Sequence, residues 1–473
     1  MTDTDLAFTP AWRLRQLIDG KQLSPVELTT HLLERINALN PKLNAFLTVA
    51  ADEALAAARS AVEQSARGEP GGPQHGIPVP IKDLSRTAGI RTTRGSLIFK
   101  DDVPDADDMV VSSIKGAGGI VIGKTNTPEF GHRGTTENLL GDPCCNPWDL
   151  DRTSGGSSGG AAAAVASGLS PVAQGSDGGG SIRVPANYCG VFGLKPSRGR
   201  IPAPYGGSGG WNVFGTSGTL TRDVRDAAVM LNVMSGPYPE NPMSILDAPP
   251  DFTEGLGDGV RGLRVAYAPS IGRMPVDAEV RAVVREAASL LADMGAEVDE
   301  IDPDVDGLTL RESFRKIFVS DMSAGLGALL KTYPDLLMPT MREYLELATT
   351  WTVADLAKAL RDMERFKGLM RDVFLTHDLL LSPVNAVPAF PIEGWPDTID
   401  GQPVEPRWGF TPFCYLYNMT GQPAASVPYG FSAGGLPIGV QLVARHADEA
   451  TLLRASAAIE AAHPWSQHRP PVS

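Results

Sequence analysis

The chain has 473 residues, of which 42% are hydrophobic and 20% charged, proportions typical of a globular protein with a substantial core. Its formal net charge of −14, from 41 basic and 55 acidic residues, argues against a general binder of nucleic acid or of an anionic membrane surface. Residues 1–10 lack the basic and apolar regions of a signal peptide, and no apolar stretch of about 20 residues follows, so we expect a cytoplasmic protein outside the membrane.

The first half of the chain predicts helices that alternate with short apolar strands. Ser24-Pro25-Val26-Glu27 is typical of a helix start, because an N-cap serine precedes a proline in the first turn and a glutamate that completes a capping box. The other predicted elements of this half are an alanine-rich helix over 50–64, an extended run over 76–83, a helix over 109–115, a strand over 120–122 and a helix of small residues over 161–168.

After residue 221 the pattern becomes more helical. Helices are predicted over 222–236, 278–295 and within 307–376, and strands over 263–268, 379–381 and 439–443. The stretch 237–258 is rich in Pro, Gly and Asp and indicates a loop rather than a domain boundary. The alternation of helices and strands predicts an α/β architecture in a single domain over residues 1–473.

One motif is misleading. Residues 118–125, GGIVIGKT, match the phosphate-binding pattern GxxxxGK[ST]. That pattern requires a strand before the motif and a flexible glycine-rich loop inside it. Here the interior of the motif, Ile120-Val121-Ile122, is itself the predicted strand, so we do not expect nucleotide binding.

A second motif leaves an alternative open. Residues 155–159, GGSSG, match the GxSxG pattern of serine hydrolases, which need an acid and then a histidine further along the chain. His377 and His446 are candidates for that histidine by position alone. A serine–histidine esterase is therefore retained as an alternative.

The four cysteines, Cys144, Cys145, Cys189 and Cys414, do not show the spacing of a zinc site. We expect unpaired thiols in a reducing compartment. No metal is predicted.

Three separate segments combine into a stronger hypothesis. They are PVPIKDL around Lys82, DRTSGGSSGG with the pair Ser157-Ser158, and GSDGGGSIRVPA with Ser181. A glycine run such as the one before Ser181 weakens a helix or a strand by roughly 0.5–1 kcal/mol per residue. The presence of such a run directly before Ser181 therefore indicates a role other than the stabilisation of a helix or a strand.

These segments and their spacing resemble the amidase signature family. The resemblance covers nearly the whole chain and includes the capped N-terminal helix, GKTNTPEFG, LLSPVNAVPAFP and NMTGQPAASVPYG. It implies a single large α/β domain with a twisted mixed sheet covered by helices. It also implies hydrolysis, or transfer, at a carboxamide carbonyl.

By this resemblance Ser181 is the nucleophile, Ser157 follows Gly156 in a cis peptide, and Lys82 is the base. A serine hydroxyl is a weak nucleophile until a neighbour takes its proton, and Ser157 can relay that proton to Lys82. Lys82 must be neutral to accept it, which requires burial away from carboxylates. We therefore expect the adjacent Asp83 side chain to point away from it.

The glycine run is expected to form an oxyanion hole. Backbone N–H groups aimed at the carbonyl oxygen stabilise the charge that develops there, and residues without side chains let the backbone approach the substrate. Gly178, Gly179, Gly180 and Ser181 would supply these groups. Asp177 and Arg183 are expected to hold the loop, with Ser176 as a weaker candidate.

The substrate pocket is less well indicated. Tyr205, Trp211 and Phe214 lie in the glycine-rich stretch 202–215 and would either pack in the core or form walls of the pocket. The backbone at Gly131 is a further candidate for substrate contact, whereas the adjacent His132 is not expected to be a ligand.

The resulting hypothesis is a stand-alone amidase for small or aryl amides, in the manner of an aryl acylamidase, with carbamates (urethanes) as further substrates because they present the same carbonyl. No metal or organic cofactor, nucleic acid or membrane is implied, and we expect a monomer or homodimer. One rival is the amidase component of a glutamine-dependent tRNA amidotransferase, whose usual segment SRYGLVAFASSLDQ differs from the corresponding residues 201–220. A binding protein without catalysis is another.

Overall fold

The computed structural model describes residues 3–69, 71–204 and 213–473. Tyr205 and Trp211, two of the expected pocket residues, lie outside the described residues.

The helices are α1 (Asp3–Phe8), α2 (Ala11–Asp19), α3 (Pro25–Leu43), α4 (Ala51–Ala66), α5 (Met109–Gly116), α6 (Gly159–Ala166), α7 (Arg183–Cys189), α8 (Val224–Met234), α9 (Ala278–Asp293), α10 (Leu310–Thr332), α11 (Pro339–Ala348), α12 (Val353–Thr376), α13 (Leu416–Thr420) and α14 (Glu449–Ala462). The strands are β1 (Phe46–Val49), β2 (Pro78–Lys82), β3 (Ile120–Thr125), β4 (Cys145–Asn146), β5 (Asp149–Thr153), β6 (Val172–Asp177), β7 (Phe192–Lys195), β8 (Thr216–Thr221), β9 (Arg264–Tyr267), β10 (Glu297–Glu300), β11 (Leu379–Pro383), β12 (Thr398–Ile399), β13 (Gln402–Pro403), β14 (Ala424–Phe431) and β15 (Pro437–Ala444).

An eleven-stranded sheet runs through the protein in the order β1-β3-β2-β6-β8-β7-β14-β15-β11-β9-β10. Strand β2 is parallel to both β3 and β6, and β9 is parallel to β10 and β11, whereas the remaining neighbours are antiparallel. The sheet is therefore mixed, and helices pack against it. This confirms the predicted α/β fold with a mixed sheet.

The local signals in the sequence correspond to observed elements. The capping box at the start of α3 is present: Val26 donates its N–H to Ser24 Oγ at 3.2 Å, and Ser24 donates its N–H to Glu27 Oε2 at 2.9 Å. Every other predicted helix and strand overlaps one in the structure, with ends that differ by a few residues.

Strands β6, β7, β8 and β14 lie at the centre of the sheet and were not predicted. Strand β8 has the sequence TSGTLT, yet Thr219 and Thr221 are fully buried between neighbouring strands and helices. A strand covered on both faces loses the alternation of polar and apolar residues that marks a half-exposed strand. Its burial is therefore a tertiary property that the local pattern did not reveal.

The interior of the GxxxxGK[ST] match lies in strand β3, as predicted, and Lys124 within it is buried. Lys124 Nζ donates to Ser85 O, to Thr87 Oγ1 at 2.7 Å and to Thr92 Oγ1 at 3.1 Å. The lysine of the motif thus holds neighbouring loops together.

The fold brings the three signature segments to one place. Strand β2 ends at Lys82 and its parallel neighbour β6 ends at Asp177, with Ile81 paired to Gln174. Helix α6 begins at Gly159, directly after the serine pair. The carboxyl ends of neighbouring parallel strands are a common position for a binding site in α/β proteins. Within the described part of the chain, no helix is long and apolar enough to cross a membrane.

Helix α6 packs so closely on its surroundings that Gly160→Ala should destabilise the protein. A Cβ atom at this position would collide with the backbone at Ala45 and Asn126. We expect a loss of about 1–3 kcal/mol in the free energy of unfolding, although alanine is the better helix former by about 1 kcal/mol.

The matched control is Gly116→Ala, at the exposed end of α5, where an added Cβ meets no atom within 4 Å. Urea denaturation should show this variant unchanged or stabilised. Equal midpoints for the two variants would contradict the close packing of α6.

Candidate active site

Lys82 is fully buried at the end of β2. Its backbone N–H donates to Gln174 Oε1 at 3.0 Å, which ties the end of β2 to β6. Its Nζ lies 2.7 Å from Ser157 Oγ and 3.3 Å from the carbonyl oxygen of Ser176. Both polar partners of the amine are thus uncharged.

Burial lowers the pKa of Lys82 from 10.5 to about 7, and the more distant Asp177 acts in the opposite direction. The adjacent Asp83 turns away: its Oδ2 accepts the N–H of Thr93 at 3.0 Å and also the Thr93 hydroxyl. Burial raises the pKa of Asp83, with Lys124 and Thr93 opposing that shift. This confirms the expected orientation of Asp83 and leaves Lys82 without an adjacent carboxylate.

The Gly156–Ser157 peptide bond is cis, as the resemblance implies. Ser157 is 2% exposed, and its neighbour Ser158 joins the serine pair to the end of β6 and to the Ser181 turn. The Ser158 N–H donates to Ser181 O at 3.0 Å, and Ser158 Oγ donates to Ser176 O at 3.2 Å. The serine pair, the end of β6 and the Ser181 turn therefore form one connected unit.

Ser181 occupies a turn between a strand and a helix. Strand β6 ends at Asp177, the three glycines form the turn, and α7 begins at Arg183. Gly180 has a φ of 119°, a left-handed conformation that favours glycine, and an added Cβ there would lie 2.6 Å from Cys414 Cβ. Ser181 is 8% exposed and faces the same cavity as Ser157.

The turn is held by a buried ion pair between Asp177 and Arg183. Arg183 Nε donates to Asp177 Oδ2 at 3.0 Å and Arg183 Nη2 donates to Oδ1 at 2.9 Å, and both side chains are fully buried. Burial alone would raise the pKa of Asp177, but Arg183, Lys195 and Asn418 outweigh it and hold that pKa well below its usual range. The carboxylate is therefore ionised.

Asp177 also engages the backbone of the turn. Its Oδ1 accepts the Gly180 N–H at 2.7 Å, and its Oδ2 accepts the Ile182 N–H at 3.1 Å. The N–H groups of Gly178, Gly179 and Ser181 make no hydrogen bond to the rest of the described chain. Ser176 participates through its carbonyl oxygen, which lies near Lys82 Nζ.

Sequence reasoning did not identify the partners of Arg183 on distant segments. Its Nη1 donates to Gln441 Oε1 at 2.7 Å and to Cys414 O at 2.9 Å, and its Nη2 donates to Asn418 Oδ1 at 2.7 Å. Asn418 in turn donates to Asp177 Oδ1 at 2.9 Å. These residues lie more than 200 positions from Arg183, and the only signal for Asn418 was its place at the start of NMTGQPAASVPYG.

A cavity of about 460 Å³ opens beside Ser157, Gly178 and Ser181. Gly131 lines it, in a turn whose preceding residue, Phe130, has a φ of 50°. Glu129 Oε1 accepts a hydrogen bond from Ser96 Oγ at 2.6 Å, and Glu129 Oε2 accepts the Met338 N–H at 2.8 Å, so this turn is anchored on both sides.

Phe214 and the histidines His132, His377 and His446 do not line the cavity. Phe214 is 2% exposed and stacks on Phe314 at 5.2 Å between ring centroids, while the next residue, Gly215, reaches the wall. His132 is buried, its Nε2 lies 2.7 Å from Thr340 Oγ1, and burial lowers its pKa to about 3. His446 contacts the carbonyl of Arg198, and His377 faces Asp299.

The cavity wall also carries charged side chains, whereas the sequence predicted an aromatic and glycine-rich lining. Arg86, Arg94 and Arg198 border it, together with Asp108 and Asp177. Their positions are scattered along the chain, so nothing in the local sequence grouped them.

The sequence profile of the amidase family matches residues 27–453. An acylamidase of Rhodococcus erythropolis is 37% identical over 99% of this chain and 98% of its own length. A glutamyl-tRNA(Gln) amidotransferase subunit from Moorella thermoacetica is 34% identical over 98% of this chain and 99% of its own length. The crystal structure of a bacterial aryl acylamidase of the amidase signature family superposes with a TM-score of 0.92 at 32% identity, covering 97% of each chain.

Removal of the arginine from the buried ion pair should destabilise the fold strongly. Arg183→Met leaves the Asp177 carboxylate buried without its cation, and we expect a loss of about 3–5 kcal/mol in the free energy of unfolding. The measurement is denaturation by urea, followed by circular dichroism.

Arg371→Met is the control, because that arginine pairs with Asp372 on the surface and its side chain is 71% exposed. Its effect should stay within about 0.5 kcal/mol. Similar losses for the two variants would show that the buried pair does not stabilise the turn.

Proposed function

Because this chain belongs to the amidase signature family, and is therefore a hydrolase of amides, we propose that it cleaves small or aryl carboxamides, and also carbamates, through an acyl-enzyme on Ser181. The observation that carries the proposal is the buried contact of 2.7 Å between Lys82 Nζ and Ser157 Oγ, beside the cavity that Ser181 borders.

The reaction begins with the neutral form of Lys82. Its amine accepts the Ser157 proton, and Ser157 Oγ accepts the proton of Ser181 as the Ser181 oxygen attacks the carbonyl carbon. The C–N bond then breaks, and the relayed proton returns through Ser157 to the departing nitrogen. A water molecule hydrolyses the ester on Ser181 by the same route, which releases the acid and restores the free hydroxyl.

The N–H groups of Gly178, Gly179 and Ser181 stabilise the negative oxygen of the tetrahedral intermediate. They make no hydrogen bond to the described residues, whereas the Gly180 N–H is engaged by Asp177. We therefore assign Gly180 to the support of the loop together with Asp177 and Arg183. Loss of one oxyanion donor typically raises the barrier by about 3 kcal/mol.

The proposed substrate class is based on the names of two similar proteins and on the size of the cavity. The names acylamidase and aryl acylamidase describe two similar proteins, and a cavity of about 460 Å³ has the size of a ligand pocket. A carbamate presents the same carbonyl to the same nucleophile. Breaking its C–N bond releases the amine and leaves an alkoxycarbonyl group on Ser181, and water then releases a carbonic acid half-ester that decomposes to the alcohol and carbon dioxide. Gly131 is proposed to contact the substrate through its backbone.

The rival function is that of an amidotransferase component, since one such protein is 34% identical over nearly the whole chain. A component of this kind makes ammonia for a partner. Purified alone, the protein should hydrolyse aliphatic amides, anilides or carbamates in a panel. Failure on the whole panel, combined with glutaminase activity that needs an added partner, would favour the rival.

Ser181→Ala should abolish turnover while the fold stays intact, because only the attacking oxygen is removed. Activity is measured against the best substrate of the panel and folding by circular dichroism. A serine-directed phosphonate should modify Ser181, as mass spectrometry of peptides will show. An adduct on Ser157 or Ser158, or an active Ser181→Ala enzyme, would contradict the assignment of the nucleophile.

The rate should depend on pH through Lys82. Protonated Lys82 cannot accept a proton, so kcat/KM should fall about tenfold per pH unit below the pKa of about 7 and level off above it. The measurement uses a neutral amide. Lys82→Ala and Lys82→Arg should both be nearly inactive, because a guanidinium does not lose its proton near neutral pH.

His377→Ala and His446→Ala are the controls for this profile, and both should retain the rate within a few-fold and keep the acid limb. Loss of the limb in either variant would favour the serine–histidine mechanism, as would a Lys82→Arg enzyme of near-normal rate.

A further inference from the structure

Three arginines on the cavity wall differ in how their charge is balanced. Arg86 Nη2 lies 3.0 Å from Asp105 Oδ1. Arg94 Nη2 lies 3.9 Å from Asp102 Oδ2, and its guanidinium stacks over the Phe99 ring at 4.3 Å. Each of these two therefore has a carboxylate beside it.

Arg198 has no such partner among the described residues. Its Nη1 donates to the carbonyl oxygen of Val213, and no carboxylate of the described residues lies within 4 Å of its guanidinium. Residues 205–212, YGGSGGWN, contain no acidic residue. Glu364 acts on Arg198 from a greater distance, but it lies on the surface and pairs with Lys367 at 2.6 Å.

The acidic residues of the cavity wall are already engaged. Asp177 forms the buried ion pair with Arg183, and Asp108 Oδ2 accepts the backbone N–H of Arg86 at 2.9 Å. Burial lowers the pKa of Arg198, which is the expected response of a cation without a counter-charge. The wall of the cavity thus holds one guanidinium, that of Arg198, which no carboxylate of the described residues pairs with.

A partly buried cation beside a cavity is unfavourable when the cavity holds only water, and a carboxylate on a ligand removes that penalty through charge-assisted hydrogen bonds. We propose that the preferred substrate carries a carboxylate on its acyl arm or its amine arm, and that Arg198 binds this carboxylate. The inference rests on the proposed function. The carboxylate takes no part in the reaction. It remains on the released acid when it lies on the acyl arm, and on the released amine when it lies on the amine arm.

The test compares matched pairs of anilides, with one pair for each arm. For the amine arm the pair is 4-acetamidobenzoate and 4-nitroacetanilide, since a nitro group has the shape of a carboxylate without its charge. For the acyl arm the pair is N-phenylsuccinamate and N-phenylpentanamide. In each pair the measured quantity is the ratio of kcat/KM for the charged substrate to kcat/KM for the neutral one.

In Arg198→Gln this ratio should fall by about 10- to 100-fold for one of the two pairs, the loss expected when a charged hydrogen bond is removed. Arg198→Lys keeps a positive charge, so its ratio should lie between those of Arg198→Gln and the wild type. If Arg198 had only a structural role, its replacement would change kcat/KM equally for both substrates of a pair and leave the ratio unchanged.

Arg86→Gln is the matched control, because Arg86 borders the same cavity but is paired with Asp105. Its ratios should stay within about twofold of the wild type. The inference is overturned if neither ratio falls in Arg198→Gln, or if Arg86→Gln lowers a ratio as much.

A binding measurement separates this inference from the proposed function. Calorimetry of 4-acetamidobenzoate and N-phenylsuccinamate with Ser181→Ala does not require turnover, and one of them should bind at least tenfold more weakly when Arg198→Gln is added. Dependence of this binding on Arg198, together with a wild-type protein that hydrolyses no amide or carbamate of the panel, would support the carboxylate site and contradict the proposed function. Binding that is equal with and without Arg198 would overturn the inference.

Discussion

The burial of Lys82 without an adjacent carboxylate is the constraint on which the rest of the site depends. A lysine in contact with Asp or Glu would hold its proton at neutral pH. Among the described residues, the amine makes hydrogen bonds only to Ser157 Oγ and the Ser176 carbonyl, and burial lowers its pKa to about 7. The neighbouring Asp83 is kept away by hydrogen bonds from Thr93, so the proposed base can exist in its neutral form.

The other nearby carboxylate, Asp177, links this electrostatic condition to the geometry of the glycine turn. Its charge is neutralised by Arg183, which limits its influence on Lys82, and the same carboxylate holds the N–H groups of Gly180 and Ile182. The N–H groups of Gly178, Gly179 and Ser181 make no hydrogen bond to the described residues, as the proposed oxyanion hole requires. One buried ion pair therefore supports both the low pKa of Lys82 and the shape of the proposed oxyanion hole.

The proposed arrangement of nucleophile, relay and base says little about which amide is cleaved, because similar proteins include both an acylamidase and an amidotransferase component. Selectivity depends on the cavity wall, which is assembled from loops around Leu84, Gly131 and Arg198. Loops of this kind vary without disturbing the sheet. The charge of Arg198 is the feature of this wall that most directly distinguishes one substrate class from another.

The sequence by itself determined the features whose signals are local: the capping box at Ser24, the helices with regular periodicity, the apolar strands β2, β3, β9, β11 and β15, and the segments with Lys82, Ser157 and Ser181, whose roles came from the family resemblance. The roles given to those residues, and to Tyr205 and Trp211, stay predictions. Only the tertiary structure decided the central strands such as β8, the contacts of Arg183 with Asn418 and Gln441, and the place of Arg198 on the cavity wall. The physical reason is that periodicity and capping act over a few residues, whereas burial on both faces of a strand and pairing of distant charges arise only when the chain has folded.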